Sequence, residues 1–441
     1  MAKIKSIHAR QILNAKGEPT IETTVILNDG AVGIASCPTG TSTGTSEAAE
    51  LRDRDPAHFQ GLGVMKAVQN IEGTIFENLN GIDADKQQMI DRTMIELDGT
   101  QNKARLGANT MLSVSMAVAK AAAKSSVLPL YLYLRDFIKK ENTELKIPIP
   151  AFNILNGGKH AGENLDFQEF MVVPASSKPY HESVEMGMTI YHNLKNLLTR
   201  NNLPTLIGDE GGFAPILQTN EDALAFIAEA VSTSNLRLGY DVFLGLDAAA
   251  TGFYKNQHYK IRDKSGLLTA HDIIPFYLDL VKKYHLLYLE DPLAEDDWDG
   301  WAEMGKSTSP ETIIIGDDLT VTNPYRLQMA IDKKAIGGII IKPNQIGTVI
   351  EALAVVEVAR VAGLKIIVSH RSGETNDDFI ARNGIDESPT NALAQRKTQS
   401  VNHLSWLYGS CGHLDDFFYA LFEHFRIFTF PKIEFFCDLL E

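Results

Sequence analysis

A chain of 441 residues, 44% apolar and 22% charged, has room for two domains with sizeable cores and the composition of an ordinary globular protein. Its net charge of −15 excludes wholesale nucleic-acid binding but not an anionic ligand held in a locally positive cleft. Cys37, Cys411 and Cys437 lack metal-type spacing, the start MAKIKSIHAR lacks a signal-peptide core, and no run is long enough to span a bilayer, so the expectation is a cytoplasmic protein without a disulfide framework.

From the N-terminus, residues 1–38 read as a meander. IKSIHARQIL, TIETTVILND and AVGIASCP are strand-like, separated by turn-type clusters at Lys16-Gly17-Glu18-Pro19 and Asn28-Asp29-Gly30. Pro38-Thr39-Gly40-Thr41-Ser42-Thr43-Gly44 is a small polar loop, on composition alone a connector. Residues 62–96 and 105–124 read as helices, the second Ala-rich and mostly apolar, as a buried core helix would be. An α+β domain over 1–135 results, with Glu141-Asn142-Thr143-Glu144 as the polar linker that follows.

Residues 146–152 and 167–174 are strand-like, and a glycine-rich loop, Asn156-Gly157-Gly158-Lys159-His160-Ala161-Gly162, lies between them. An amphipathic helix over 182–200 precedes Leu206-Ile207-Gly208-Asp209-Glu210-Gly211-Gly212-Phe213, an apolar run closing on acids. A regular βα rhythm then sets in. VFLGLD ends at Asp247, LLYLED at Glu290 and Asp291, TIIIGDD at Asp317 and Asp318, GGIIIK at Lys342, and LKIIVSHRSGE passes through His370 and Arg371. Continuous apolar runs are the mark of parallel strands covered on both faces. The charged ends recur every 25 to 43 positions, one strand plus one helix of a βα barrel, whose C-terminal strand ends share a single mouth. Thr219 with Asp222 and Thr269 with Asp272 read as helix-start caps, and a helix over 348–361 stops at Gly363.

Asp247, Glu290 and Asp317, on successive strand ends, supply the oxygen donors that a hard cation such as Mg2+ takes, leaving positions for water and substrate. Zinc suits the set less, because it contains no cysteine. The same acids also suit helix capping. Lys342 ends a buried apolar strand, where burial and a nearby cation lower a lysine's pKa and make a general base; a salt bridge to one of the acids is the competing reading. Arg371 with Ser372 offers a phosphate a guanidinium fork and a hydroxyl. Glu169 and Glu210 add carboxyls on other strand ends, and an acid kept protonated by its neighbours can donate to a leaving hydroxyl. Together these parts allow a Mg2+-assisted β-elimination: a base takes the α-proton of a carboxylate substrate, an acid protonates the β-hydroxyl, and water leaves.

The motifs identify a family. His8-Ala9-Arg10-Gln11-Ile12-Leu13, Thr41-Ser42-Thr43-Gly44, Leu97-Asp98-Gly99-Thr100, Gln168-Glu169-Phe170 and Gly208-Asp209-Glu210-Gly211-Gly212-Phe213 resemble enolase, the phosphopyruvate hydratase of glycolysis. So do Glu290-Asp291-Pro292, Gly316-Asp317-Asp318-Leu319-Thr320 and Ser369-His370-Arg371-Ser372-Gly373-Glu374-Thr375. The resemblance implies an α/β fold, with the α+β domain capping a modified (β/α)8 TIM-type barrel over 141–381, and a cytoplasmic homodimer or larger assembly. It implies interconversion of 2-phosphoglycerate and phosphoenolpyruvate, small phosphorylated carboxylates, with two Mg2+ ions. Asp247, Glu290 and Asp317 match the ligands of the first ion, and Ser42 the contact to the second. Glu210 matches the proton donor and Lys342 the base; His160, Gln168, Glu169, Ser369, His370, Arg371 and Ser372 match substrate contacts. A lysine base beside Mg2+ is the established pattern of the superfamily rather than a deduction from this chain.

Two departures stand out. The family's Asp-Ser-Arg-Gly-Asn-Pro-Thr is Asn14-Ala15-Lys16-Gly17-Glu18-Pro19-Thr20, so an arginine fork that serves a subunit contact is lost. After Phe379-Ile380-Ala381 the match stops, and 382–441 is a divergent, aromatic-rich tail. The last barrel strand, a second active-site lysine that holds the substrate carboxylate, and the final helix are not found. Leu393 stands where that lysine is expected, and Lys397 lacks an apolar strand to aim it. The expectation is a barrel short of its last strand, with an exposed edge. The functional alternatives are a working enolase of low turnover unless Lys397 substitutes, an impaired enolase-like protein with a binding or structural role, or a superfamily member acting on a sugar acid. Arg371, Ser372 and Ser42 count against the last.

Overall fold

A computed structural model describes residues 2–40, 44–138 and 147–380, and the backbone of 392–397. Ser42, the linker at 141–144 and the aromatic tail lie outside the described residues.

The N-terminal meander forms β1 (Ile4–Leu13), β2 (Pro19–Leu27) and β3 (Val32–Ser36), paired antiparallel in that order. Helix 62–96 is not one element. Its first part, α1 (Met65–Asn70), runs on through a π turn to Leu79, and α2 (Gln87–Asp98) starts after a break. The break falls at Asn80-Gly81, where Gly81 takes φ 79°, a left-handed conformation that ends a helix and that an apolar periodicity passes over. The Ala-rich α3 (Ala108–Ser125) is the buried helix expected, and it packs against β2 and β3. The approach depends on Gly33, where a Cβ would lie 2.0 Å from Ala117 O.

The second domain is a closed barrel. Its strands are β4 (Ile149–Asn156), β5 (Glu169–Pro174), β6 (Val242–Asp247), β7 (Leu286–Glu290), β8 (Ile313–Gly316), β9 (Gly338–Ile341), β10 (Lys365–Val368) and β11 (Ala392–Lys397), adjacent in chain order and closing from β11 to β4. Within it β5 runs antiparallel to both β4 and β6, and the other pairs are parallel. Two helices, α4 (Tyr180–Arg200) and α5 (Asn220–Thr233), separate β5 from β6. Crossover helices α6 (Ala270–Tyr284), α7 (Trp298–Ser307), α8 (Pro324–Asp332) and α9 (Val349–Val361) follow from there on, the last preceded by one helical turn at Pro343–Ile346. The caps expected at Thr219 and Thr269 are reciprocal boxes with Asp222 and Asp272. Ala151, Met171, Val173, Tyr288, Ile313, Ile315, Ile340 and Ile367 fill the barrel, and the outward-facing apolar residues pack against the helices.

Two expectations change. Residues 206–213 form a loop, bridged at Ile207–Phe213 and Leu155–Phe213, rather than another strand end. The barrel does not lack its last strand: β11 lies between β10 and β4, pairing Leu393 with Ile367 and Ile149, and Lys397 with Asn153. ALAQRK is a poor strand by composition, but two unpaired edges facing one gap offer a backbone ladder on both sides, and tertiary pairing overrides weak propensity. The register also matters. Leu393 pairs with Ile149 at the start of β4, whereas Lys397 ends the strand four residues nearer the mouth.

Candidate active site

The reversed direction of β5 is what brings its acid to the mouth. Glu169 begins its strand instead of ending it, yet it pairs with Asn156 at the end of β4 and with Asp247 at the end of β6. Asp247 in turn pairs with Glu290 at the end of β7. Three carboxylates from adjacent strands therefore sit at one level.

They belong to a larger buried crowd. Asp247 accepts from Gln168 Nε2 (3.0 Å) and Ala249 N (2.8 Å). Asp291, not singled out as a site residue from the sequence, accepts from the backbone N–H groups of Asp317 (3.1 Å) and Asp318 (2.7 Å) and so sets the end of β8. Ligand oxygens of Asp247, Glu290 and Asp291 lie within 4.8 Å of one another, as do those of Asp291, Asp317 and Asp318. The doublets Glu290-Asp291 and Asp317-Asp318 were the available signal. Burial, then mutual repulsion, pushes Asp247, Glu290 and Asp291 well above the usual carboxylate range and Asp318 up to about 7. Such a set is costly as anions alone, and its all-oxygen chemistry fits a hard divalent cation.

Lys342, directly after β9, bonds Asp317 Oδ2, and Asp317 Oδ1 accepts from Gln345 Nε2 (2.9 Å). The sequence reading expected a lysine with lowered pKa. Burial does act in that direction, but the attraction of Asp317, helped by Glu290, outweighs it and holds the ammonium above its ordinary range. In this structure, then, the salt-bridge reading of Lys342 describes it.

A second cluster lies around β5. His160 Nδ1 is 3.1 Å from Glu169 Oε1, His370 Nε2 bonds Glu210 Oε2, and ligand atoms of His160, Glu169 and Glu210 lie within 4.8 Å of one another. Burial lowers the His160 pKa, but the Glu169 hydrogen bond and the Glu210 charge reverse this and raise it. Glu210 reaches the cluster from the 206–213 loop and not, as expected, from a strand end. In a ring of eight strands β5 stands four places from β9, so Glu169 and Lys342 belong to facing walls.

Arg371 follows β10 and is buried. Its guanidinium takes both Glu47 oxygens, at 2.9 and 3.1 Å, and Asn344 Oδ1 at 3.0 Å. Gly40 packs so closely that a Cβ there would lie 1.8 Å from Arg371 Nη2. Thr45 donates to Glu295 through N (3.1 Å) and Oγ1 (3.0 Å). The composition-based connector is therefore docked on the barrel on both sides of Ser42. Every site residue expected from the sequence, Ser42 aside, lines one cleft.

Two family models match the chain: "Enolase, N-terminal domain" over residues 4–134, and "Enolase, C-terminal TIM barrel domain" over residues 144–400. The second match extends into the stretch beyond 381 where the residues themselves gave no alignment, and it takes in β11. Among the described residues no helix is long and apolar enough to cross a membrane.

Proposed function

The chain belongs to the enolase family, and from that premise we propose that it catalyses the Mg2+-dependent, reversible dehydration of 2-phosphoglycerate to phosphoenolpyruvate. The observation that carries this reading is the pairing, in one cleft, of a crowded oxygen-donor set beside Lys342 with an acid cluster on the facing wall. A β-elimination needs a base and an acid on different sides of the substrate, and this placement supplies both.

Asp247, Glu290 and Asp317 are the residues proposed to hold Mg2+, with Asp291 fixing the backbone that carries Asp317. When bound, the metal supplies Lewis-acid stabilisation of charge developing on the substrate carboxylate. Lys342 accepts the α-proton once Asp317 has ceased to be its counter-ion. Glu210, with His370 against it and Glu169 and His160 nearby, donates a proton to the departing hydroxyl. Arg371 exchanges Glu47 for the substrate phosphate, a doubly charged partner for the same fork, and Ser372 adds a hydroxyl. Gln168 and Ser369 complete the substrate contacts, and Ser42 is assigned to a second Mg2+ by the family pattern. The proposed setting is the cytoplasm and the proposed assembly a homodimer or larger.

The test is phosphoenolpyruvate formation by the purified full chain, followed by absorbance with Mg2+ and with excess chelator. Turnover that requires Mg2+ supports the reading; a folded, Mg2+-binding protein that forms no phosphoenolpyruvate overturns it. That negative result would favour the second reading, an enolase-like protein that binds without catalysis.

A further inference from the structure

We propose that Lys16 is a positioning residue for Glu210, acting from the tip of the β1–β2 turn as a strap across the two loops that meet in the cleft. The inference rests on the reading of Glu210 as proton donor. The turn is itself well built. Asn14, buried at 7% exposure, accepts from Lys16 N (2.9 Å) and Glu18 N (3.0 Å) through Oδ1, and its own N–H donates to Glu18 O (2.9 Å). Gly17 supplies the left-handed residue at φ 75° and donates to Asn14 O (3.0 Å).

The rigid tip is then docked at two points. Ala15 N donates to Glu374 O (2.7 Å), and Gly373 packs so tightly that a Cβ there would lie 2.5 Å from Asn14 Nδ2. This holds the loop that carries His370 and Arg371. Lys16 Nζ bonds Asp209 Oδ2, one residue before Glu210. This holds the 206–213 loop, whose Asp209 N also donates to His160 O (2.9 Å). The same two loops touch again inside the cleft, where His370 bonds Glu210. The inner contact is thus backed by an outer one, formed by the Lys16 side chain.

The pair is partly solvated, Lys16 at 22% and Asp209 at 34% side-chain exposure, so its loss leaves the fold intact and acts on the loop. The substitution that departs from the family therefore has a use within its own chain. A single flexible ammonium suits one carboxylate oxygen, where a guanidinium fork suits a pair.

The test compares the full chain with Lys16→Met, which keeps length without charge, and Lys16→Arg. Hydrogen–deuterium exchange of the substrate-free proteins should be several-fold faster over 208–213 in K16M, restored in K16R, and unchanged in α4. In turnover, K16M should lower kcat about tenfold with KM little altered, since misplacing a proton donor affects the chemical step more than binding. K16R should recover most of the loss. Unchanged exchange over 208–213 in K16M overturns the strap, and so does faster exchange with kcat preserved. A parent chain without turnover counts against the proposed reaction, and the exchange comparison then decides the strap by itself.

Discussion

Lys342, partly buried, and Arg371, buried, are cations whose present partner is a carboxylate: Asp317 for one, Glu47 for the other. For Lys342 the proposed role requires that partner to be given up. Lys342→Ala should lower kcat by roughly 10²–10⁴-fold, the usual scale for a general base, with substrate affinity little changed. Loss of affinity with kcat preserved would instead make it a binding residue. For Arg371 the informative change is in its neighbour. Gly40→Ala pushes a methyl into the guanidinium, so KM should rise while the Mg2+ response of the apo protein stays as it was. An unchanged KM would show that the fork does not seat the phosphate. Residue types and order made both cations visible in the sequence; their charge state was not, because it depends on which oxygens surround them.

Among the elements, α2, α3 and α9 meet at a buried acid outside the cleft. Asp91 accepts from Gln87 Nε2 (3.0 Å) and from Ile350 N (3.0 Å) at the start of α9, and Ser115 Oγ accepts from Val349 N (3.0 Å). Burial pushes Asp91 up to about 7, against the pull of its hydrogen bonds. With the folded pKa above the unfolded one, the folded state binds the extra proton, so this group's contribution to stability falls as pH rises from about 4 to 7. The shift corresponds to about 4 kcal/mol at most. Urea unfolding of Asp91→Asn should therefore show a flatter dependence over that range than the parent, and an equal slope would mean the acid stays ionised. The last strand carries a second element-scale prediction. Its register sets Lys397, not Leu393, at the mouth end of the strand, so Lys397→Ala should lower turnover, and full activity in that variant would remove Lys397 from the site. Strand β11 could not be read from ALAQRK, whose local preference is weak; β6 to β10 could, because burial on both faces demands unbroken apolar runs.

For the molecule as a whole, the two domains are joined by charge across their boundary: Lys103 to Glu351 (2.9 Å), and Lys120 to Asp377 and Asp378 (each 2.8 Å). The cleft lies where loops of the first domain close on the mouth of the second. Mg2+ should raise the unfolding midpoint of the full chain, with stabilisation growing as the logarithm of free metal. The effect should be larger at pH 8 than at pH 6, because acids that burial and mutual repulsion hold above the usual carboxylate range, Asp318 up to about 7, must shed protons to bind a cation. An increase that is the same at both values would show that these carboxylates are not the binding set. By itself the sequence determined the family, the order of strands and helices from β6 to β10, and the inventory of acids, lysine and arginine, because apolar runs and charged ends are written residue by residue. Only the tertiary structure decided that β5 runs backwards and so delivers Glu169, that Asp291 holds Asp317, that Lys342 is a charged partner of that acid, and that a weak segment closes the barrel. Each of these depends on which groups become neighbours in space, and strand direction, burial and the local field are properties of neighbours rather than of residues.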